Sequence, residues 1–204
     1  MQHLKMFKNR KNENMSEYDI QKLRAVLLYL LNKTGPIDIF HLFKILYFAD
    51  REHMAKYGRR IMTDNFCAME NGPVPTILYD IIKSKTKKRF LHSYNNKYND
   101  ISDSFEPAKD DASYFINSDL IADASYLSTS DKECLDRSFD ENINLSFSEL
   151  KHKSHDDSWD EVWNKNGKRS NLMNPYSSAK AAGASEDMIE YMKEMDEIQS
   201  FMMS

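Results

Sequence analysis

The chain has 204 residues, of which 41% are apolar and 29% charged, with only five glycines and five prolines. That mix fits one helix-leaning globular domain with a real core and argues against a mainly disordered chain. The net charge of −4 hides segregation: residues 83–99 carry six bases and no acid, and residues 100–161 seventeen acids against five bases.

Residues 162–185 add four bases and no acid, and residues 186–204 six acids against one lysine. Such blocks attract partners of either sign, and the plain expectation is that they meet one another across the folded surface. No apolar run nears the ~20 residues that span a bilayer. The start, MQHLKMFKNRKNENMSEYD, lacks an apolar stretch and a small-residue cleavage site, so no secretory signal is expected. Cys67 and Cys134 form no metal spacing, which suggests a reduced, cytoplasmic chain without a cofactor.

Residues 1–15 are polar and aperiodic and are expected as a mobile tail, with Met15 an alternative start. Ser16 with Asp19 opens a first helix, in which Ile20, Leu23, Val26, Leu27, Leu30 and Leu31 recur at helical spacing. Thr34-Gly35-Pro36 stops it. Asp38 caps a second helix whose core face is Ile39, Leu42, Phe43, Leu46, Ala49, His53 and Met54, ending at Gly58. Its outer face is expected to carry Lys44, Arg51, Glu52 and Lys56, with Glu52 and Lys56 paired at i,i+4.

Residues 66–69 (FCAM) read as a buried strand. The ENGPVP stretch after them reads as a rigid strand-to-helix corner, with Gly72 supplying positive φ and Pro75 in the first turn of the next helix. Residues 93–117 suggest an irregular hairpin or two short strands. Ser130 with Glu133, and Ser146 with Glu149, are expected to open helices near 131–142 and 147–155. Residues 166–185 read as a loop, and Ser185 caps a last amphipathic helix over 186–204. Its Met188, Met192, Met195 and Met202 form one stripe, flanked by Ile189 and Ile198. Methionine packs against irregular partners, so the stripe suits either a docking surface or closure of the core. The fold class expected is α+β, mainly α, a helical domain with a small antiparallel sheet.

Residues 44–82 carry a more specific pattern. KILYFADREHMAKYGRRI, TDNFCAMENGPVP and LYDIIK resemble the core of the Panacea family, also called the SocA-like antitoxin domain. ELKHKSHDDSWDEVW at 149–163 is similar to that family's second recurring stretch, so the resemblance spans roughly 16–165. It marks Asp50, Arg51, His53, Gly72, Pro73, Pro75, His155 and Trp159 as family-motif residues, read here as structural. It implies a bacterial, phage-associated antitoxin that neutralises a cognate protein toxin by direct contact, with the four stripe methionines as candidate toxin contacts. The alternatives it leaves are a proteolytic adaptor, with a cellular protease as second partner, and a nucleic-acid-binding regulator.

An enzyme would need converging groups. His152, His155, Asp156 and Asp157 offer metal-ligand types, but no H-E-x-x-H is present and a third ligand must come from a distance. Asp50 and His53, at i,i+3, are expected to meet in a buried contact tying the second helix to the chain around Trp159. The basic block KSKTKKRFLHSYNNKY interleaves charge with rings as single-strand binders do, yet no reader motif accompanies it. A solvated helix end is favoured there over nucleic acid, and no catalytic or metal residue is assigned.

Overall fold

A computed structural model describes residues 15–86, 96–108, 115–165 and 167–202. Of the expected tail over 1–15, only Met15 falls among them, and its side chain is buried. Helix α1 (Glu17–Thr34) starts at the Ser16–Asp19 capping box and buries all six stripe residues. Strand β1 (Ile37–Asp38) leads into α2 (Ile39–Tyr57), capped by the Asp38 carboxylate on the Phe40 and His41 amides.

Helix α2 is the centre of the domain. Leu42, Phe43, Leu46, Ala49, His53 and Met54 are buried as expected, but so are Lys44, Ile45, Tyr47, Phe48 and Asp50. A helix buried nearly all round has neighbours on every side. Its neighbours here are β3, α5, α6 and α8. The expected outer face is thus corrected at Lys44, while Glu52 and Lys56 do form their pair.

Strands β2 (Phe66–Met69) and β3 (Gly72–Pro75) form an antiparallel hairpin turning at Glu70-Asn71, in register from Phe66–Pro75 to Met69–Gly72. The GPVP segment is therefore itself a strand rather than a corner. Pro75 ends β3, and α3 (Thr76–Thr86) begins one residue later. The prolines hold their predecessors extended, which suits a strand, and they remove two N–H donors from its unpaired, buried edge.

After a 3-10 turn at Asn96–Tyr98 comes α4 (Asn99–Ser102). Strands β4 (Glu106–Pro107) and β5 (Phe115–Asn117) then pair antiparallel, with β1 on the other side of β5. These two short strands answer the reading of 93–117 as an irregular hairpin or two short strands; residues 93–95 and 109–114 lie outside the described ones. Helix α5 (Thr129–Asn142) is capped by Ser128 with Asp131, two residues before the expected Ser130–Glu133 box. Helix α6 (Phe147–Ser154) has the expected Ser146–Glu149 box, and α7 (Asp157–Trp163) follows directly.

The stretch 166–185, expected as a loop, contains β6 (Asn171–Leu172) and α8 (Pro175–Ala181). Strand β6 adds to β2, completing a second three-stranded antiparallel sheet, and α8 packs on α2 and α7. Helix α9 (Glu186–Met202) starts at Ser185, whose hydroxyl accepts from the Met188 amide. The result is an α+β fold dominated by helix. Its main core joins α1, α2, the β2–β3 hairpin, α3 and α5, and a small second cluster unites Met54, Ala179, Ile189 and Met192.

Candidate functional site

Helix α2 and the hairpin carry the motif residues, and each polar side chain there is engaged with a different part of the chain. Asp50 is 1% exposed; its carboxylate accepts from Arg60 Nε (3.0 Å) and Nη2 (2.9 Å) and from the Ile61 amide (2.8 Å). Arg60 also donates to Asn65 Oδ1 and to the Asp64 carbonyl, so one guanidinium organises the whole 59–65 loop.

His53 does not meet Asp50 through a hydrogen bond. Its Nδ1 donates to the Arg59 carbonyl at 2.7 Å, and its Nε2 faces Ser130 Oγ at 3.0 Å. The carbonyl can only accept, which fixes the proton on Nδ1 and leaves Nε2 to accept from the serine in a neutral ring. Burial holds the His53 pKa below its usual value, although the Arg59 carbonyl and Asp131 pull the other way. Asp131 sits beside it on α5; its Oδ1 lies 3.2 Å from Arg59 Nη1, and its Oδ2 pairs with Lys22 Nζ at 3.0 Å. Asp131 thereby links α1, α5 and the loop after α2.

The expected tie between α2 and the Trp159 region exists, but Tyr47 and Arg51 make it. The Tyr47 hydroxyl donates to Asp156 Oδ2 at 2.7 Å, and Arg51 forms an ion pair with the same oxygen. Asp156 is also the N-cap of α7, its other oxygen accepting from the Trp159 amide. Trp159 in turn donates from Nε1 to the Met69 carbonyl at 2.9 Å and stacks on His155, ring centroids 3.6 Å apart. Trp163 continues the stack at 5.7 Å. Burial, with Lys151 and Lys44 nearby, keeps the His155 pKa low.

Gly72, at φ +97°, lies where these elements converge. A Cβ there would overlap Ser154 Oγ and stand 2.9 Å from Lys44 Cε, so a larger residue would have to displace both side chains. Lys44 itself is 1% exposed, donates to the Pro73 carbonyl at 2.8 Å and lies 4.7 Å from the Phe40 ring centroid. Burial brings its amine pKa down to about 7. Pro73 and Pro75 pair with Ala68 and Phe66.

Sequence reasoning missed Asp64. It is fully buried, and its carboxylate accepts from the Ile77 and Leu78 amides and from Thr76 Oγ1, capping α3 from twelve to fourteen residues away. No local spacing rule reveals a cap at that range. It also missed Arg60, Tyr47, Asp131 and Asp156 as organisers. For Asp156 a signal existed, since D-x-x-x ahead of an aromatic helix start is an N-cap pattern.

Chemically, these groups brace the fold. Asp50, His53 and Asp156 point to separate partners, and among the described residues no cluster of three or more His, Cys, Asp or Glu is placed to hold a metal. A cleft lined by Tyr47, Arg51, Arg60, Phe66 and Met173 has room for about one water molecule. Of the basic block, residues 87–95 lie outside the described ones. Lys83 donates to Tyr79, and Lys85 to the carbonyls of Ser102 and Phe105, so both lysines are engaged internally.

The methionine stripe divides. Met192 is buried in the second cluster, and Met188 is half-buried with its sulfur near Gly58. Met195 is 43% exposed and Met202 79%. The inner two thus help close the core, and the outer two reach solvent.

A helical α+β domain with an internally braced motif and an exposed helical end is the class of protein these elements define. Residues 42–160, more than half the chain, match the family described as antitoxin SocA-like, Panacea domain, and the chain belongs to it. No curated protein and no solved structure matches the chain. No helix among the described residues is long and apolar enough to cross a membrane.

Proposed function

We propose that this protein is the antitoxin of a bacterial or phage toxin–antitoxin pair and neutralises its toxin by direct binding, without chemistry of its own. The observation that carries the reading is the family match over 42–160. Supporting it, the motif's polar groups are engaged with the fold: Asp50 with Arg60, His53 with the Arg59 carbonyl, and Arg51 with Asp156. The motif then acts as the frame of a binding domain, and the partner is met by surface outside it. Met195 and Met202 are the stripe residues available for that contact, and the setting is cytoplasmic.

The test is growth of cells expressing the product of the gene adjacent to this one. Arrest by that product alone, relieved by co-expression of this chain, is the expected result. A neighbour that is harmless alone, or arrest that this chain leaves untouched, overturns the proposal. Relief that requires a cellular protease would assign the adaptor mechanism instead.

A further inference from the structure

Helix α9 has two apolar sides. Ile189 and Met192 turn inward onto Met54 and Ala179. A second stripe, Tyr191, Met195, Ile198 and Met202, follows a 4-3-4 spacing, the seam of a helix that packs lengthwise against a partner. These four are 48%, 43%, 52% and 79% exposed. The stripe begins on the domain, where the Tyr191 ring lies against Gly58, and then runs outward. At ~1.5 Å per residue its length is about 17 Å, enough for three helical turns in a groove.

One flank of this seam is acidic. Glu190, Glu194 and Glu197 repeat the same 4-3 spacing, so they form a row beside the stripe, and all three are exposed. Among the described residues none of them takes part in an ion pair, whereas Asp196, on the inner side, accepts from the Tyr176 hydroxyl.

That charge decides between occupants. A second copy would set two helices against each other, each from a segment with six acids and one lysine, and like charges along a shared seam oppose pairing. A lipid surface fits no better, because helices lying in an interface carry lysine and arginine on their polar face and meet anionic headgroups. A protein groove with an apolar floor and a lysine- or arginine-bearing rim satisfies both the stripe and the row. Basic side chains there would lay their stems over the apolar seam and their charges against the glutamates.

We propose that the outer half of α9 docks in an apolar groove with a basic rim on the toxin, an inference that rests on the antitoxin reading above. The test uses the full-length chain and the purified product of the adjacent gene, with binding measured by calorimetry. Met195→Asp/Ile198→Asp should weaken binding by ~100-fold or more, as loss of central anchors does, with the melting temperature unchanged. Glu190→Lys/Glu194→Lys/Glu197→Lys leaves the apolar seam intact; it should weaken binding about tenfold and abolish its weakening by salt. Wild-type affinity in both variants overturns the docking surface and leaves the antitoxin reading standing. A wild-type dimer in sedimentation that Met195→Asp/Ile198→Asp splits also overturns it, because the occupant is then a second copy. A wild-type chain that neither binds nor relieves toxicity removes the antitoxin reading and this inference together.

Discussion

Removing the Asp50 carboxylate should cost the fold about 3 kcal/mol, the lower end of the ~3–5 kcal/mol seen when one partner of a buried ion pair is deleted. Asp50 is 1% exposed and accepts two bonds from Arg60 and one from the Ile61 amide. Asp50→Ala leaves that amide buried without its acceptor, a loss of ~1–3 kcal/mol by itself. It also leaves the Arg60 guanidinium without its carboxylate. Arg60 keeps 23% of its side chain in solvent and retains Asn65 and the Asp64 carbonyl, which holds the loss to the lower end. In urea, with a slope of ~2 kcal/mol/M, the midpoint should fall by about 1.5 M. Arg60→Ala, made alone and together with Asp50→Ala, should reveal a coupling of ~1–3 kcal/mol. The reasoning is refuted if Asp50→Ala costs less than ~1 kcal/mol, the ordinary effect of a point mutation, or if the two changes simply add. A folded Asp50→Ala protein that no longer neutralises would instead place Asp50 on a functional surface.

Other perturbations probe neighbouring contacts. Gly72→Ala should destabilise by more than ~1 kcal/mol, from its positive φ and the overlap with Ser154 Oγ, and adding Ser154→Ala should restore part of the loss; a neutral Gly72→Ala would contradict the packing. His53 and His155 both bind protons less readily folded than unfolded. Their contribution is complete above the unfolded pKa of ~6.5 and is lost as pH falls through that value, so urea midpoints should drop from pH 8 to 5.5, and a rise would refute the assignment. For Lys44 the folded pKa of about 7 lies below the ordinary lysine value of 10.5, so its contribution is lost as pH falls across that interval. Lys44→Met should therefore flatten the stability change between about pH 7 and 9, below tyrosine ionisation; an unchanged slope would show that the amine is solvated.

What the sequence disclosed was local. The α1 stripe and the Ser16–Asp19 and Ser146–Glu149 boxes depend on neighbours three or four positions apart, and the structure has all three. At α5 two Ser-x-x-acid patterns overlap, and the one used contains Asp131, which Lys22 and Arg59 engage from outside the helix. Lys44 has the residue type of an outer face and is buried because β3 arrives with the Pro73 carbonyl. Helix α8 has no apolar stripe to announce it, since PYSSAKA packs through small residues, although Asn174 ahead of Pro175 was a usable cap signal. For the candidate contact surface, the four methionines shared a helical face on paper. Only the packing of Met192 on Ala179 and Met54 separates the inner pair from the outer one.

The most direct measurement of the central claim is titration of the purified chain with the purified product of the adjacent gene. The account predicts a saturable complex that forms without protease or nucleic acid and that weakens as salt rises. Relief of toxicity in cells with no complex at micromolar concentrations would contradict direct neutralisation.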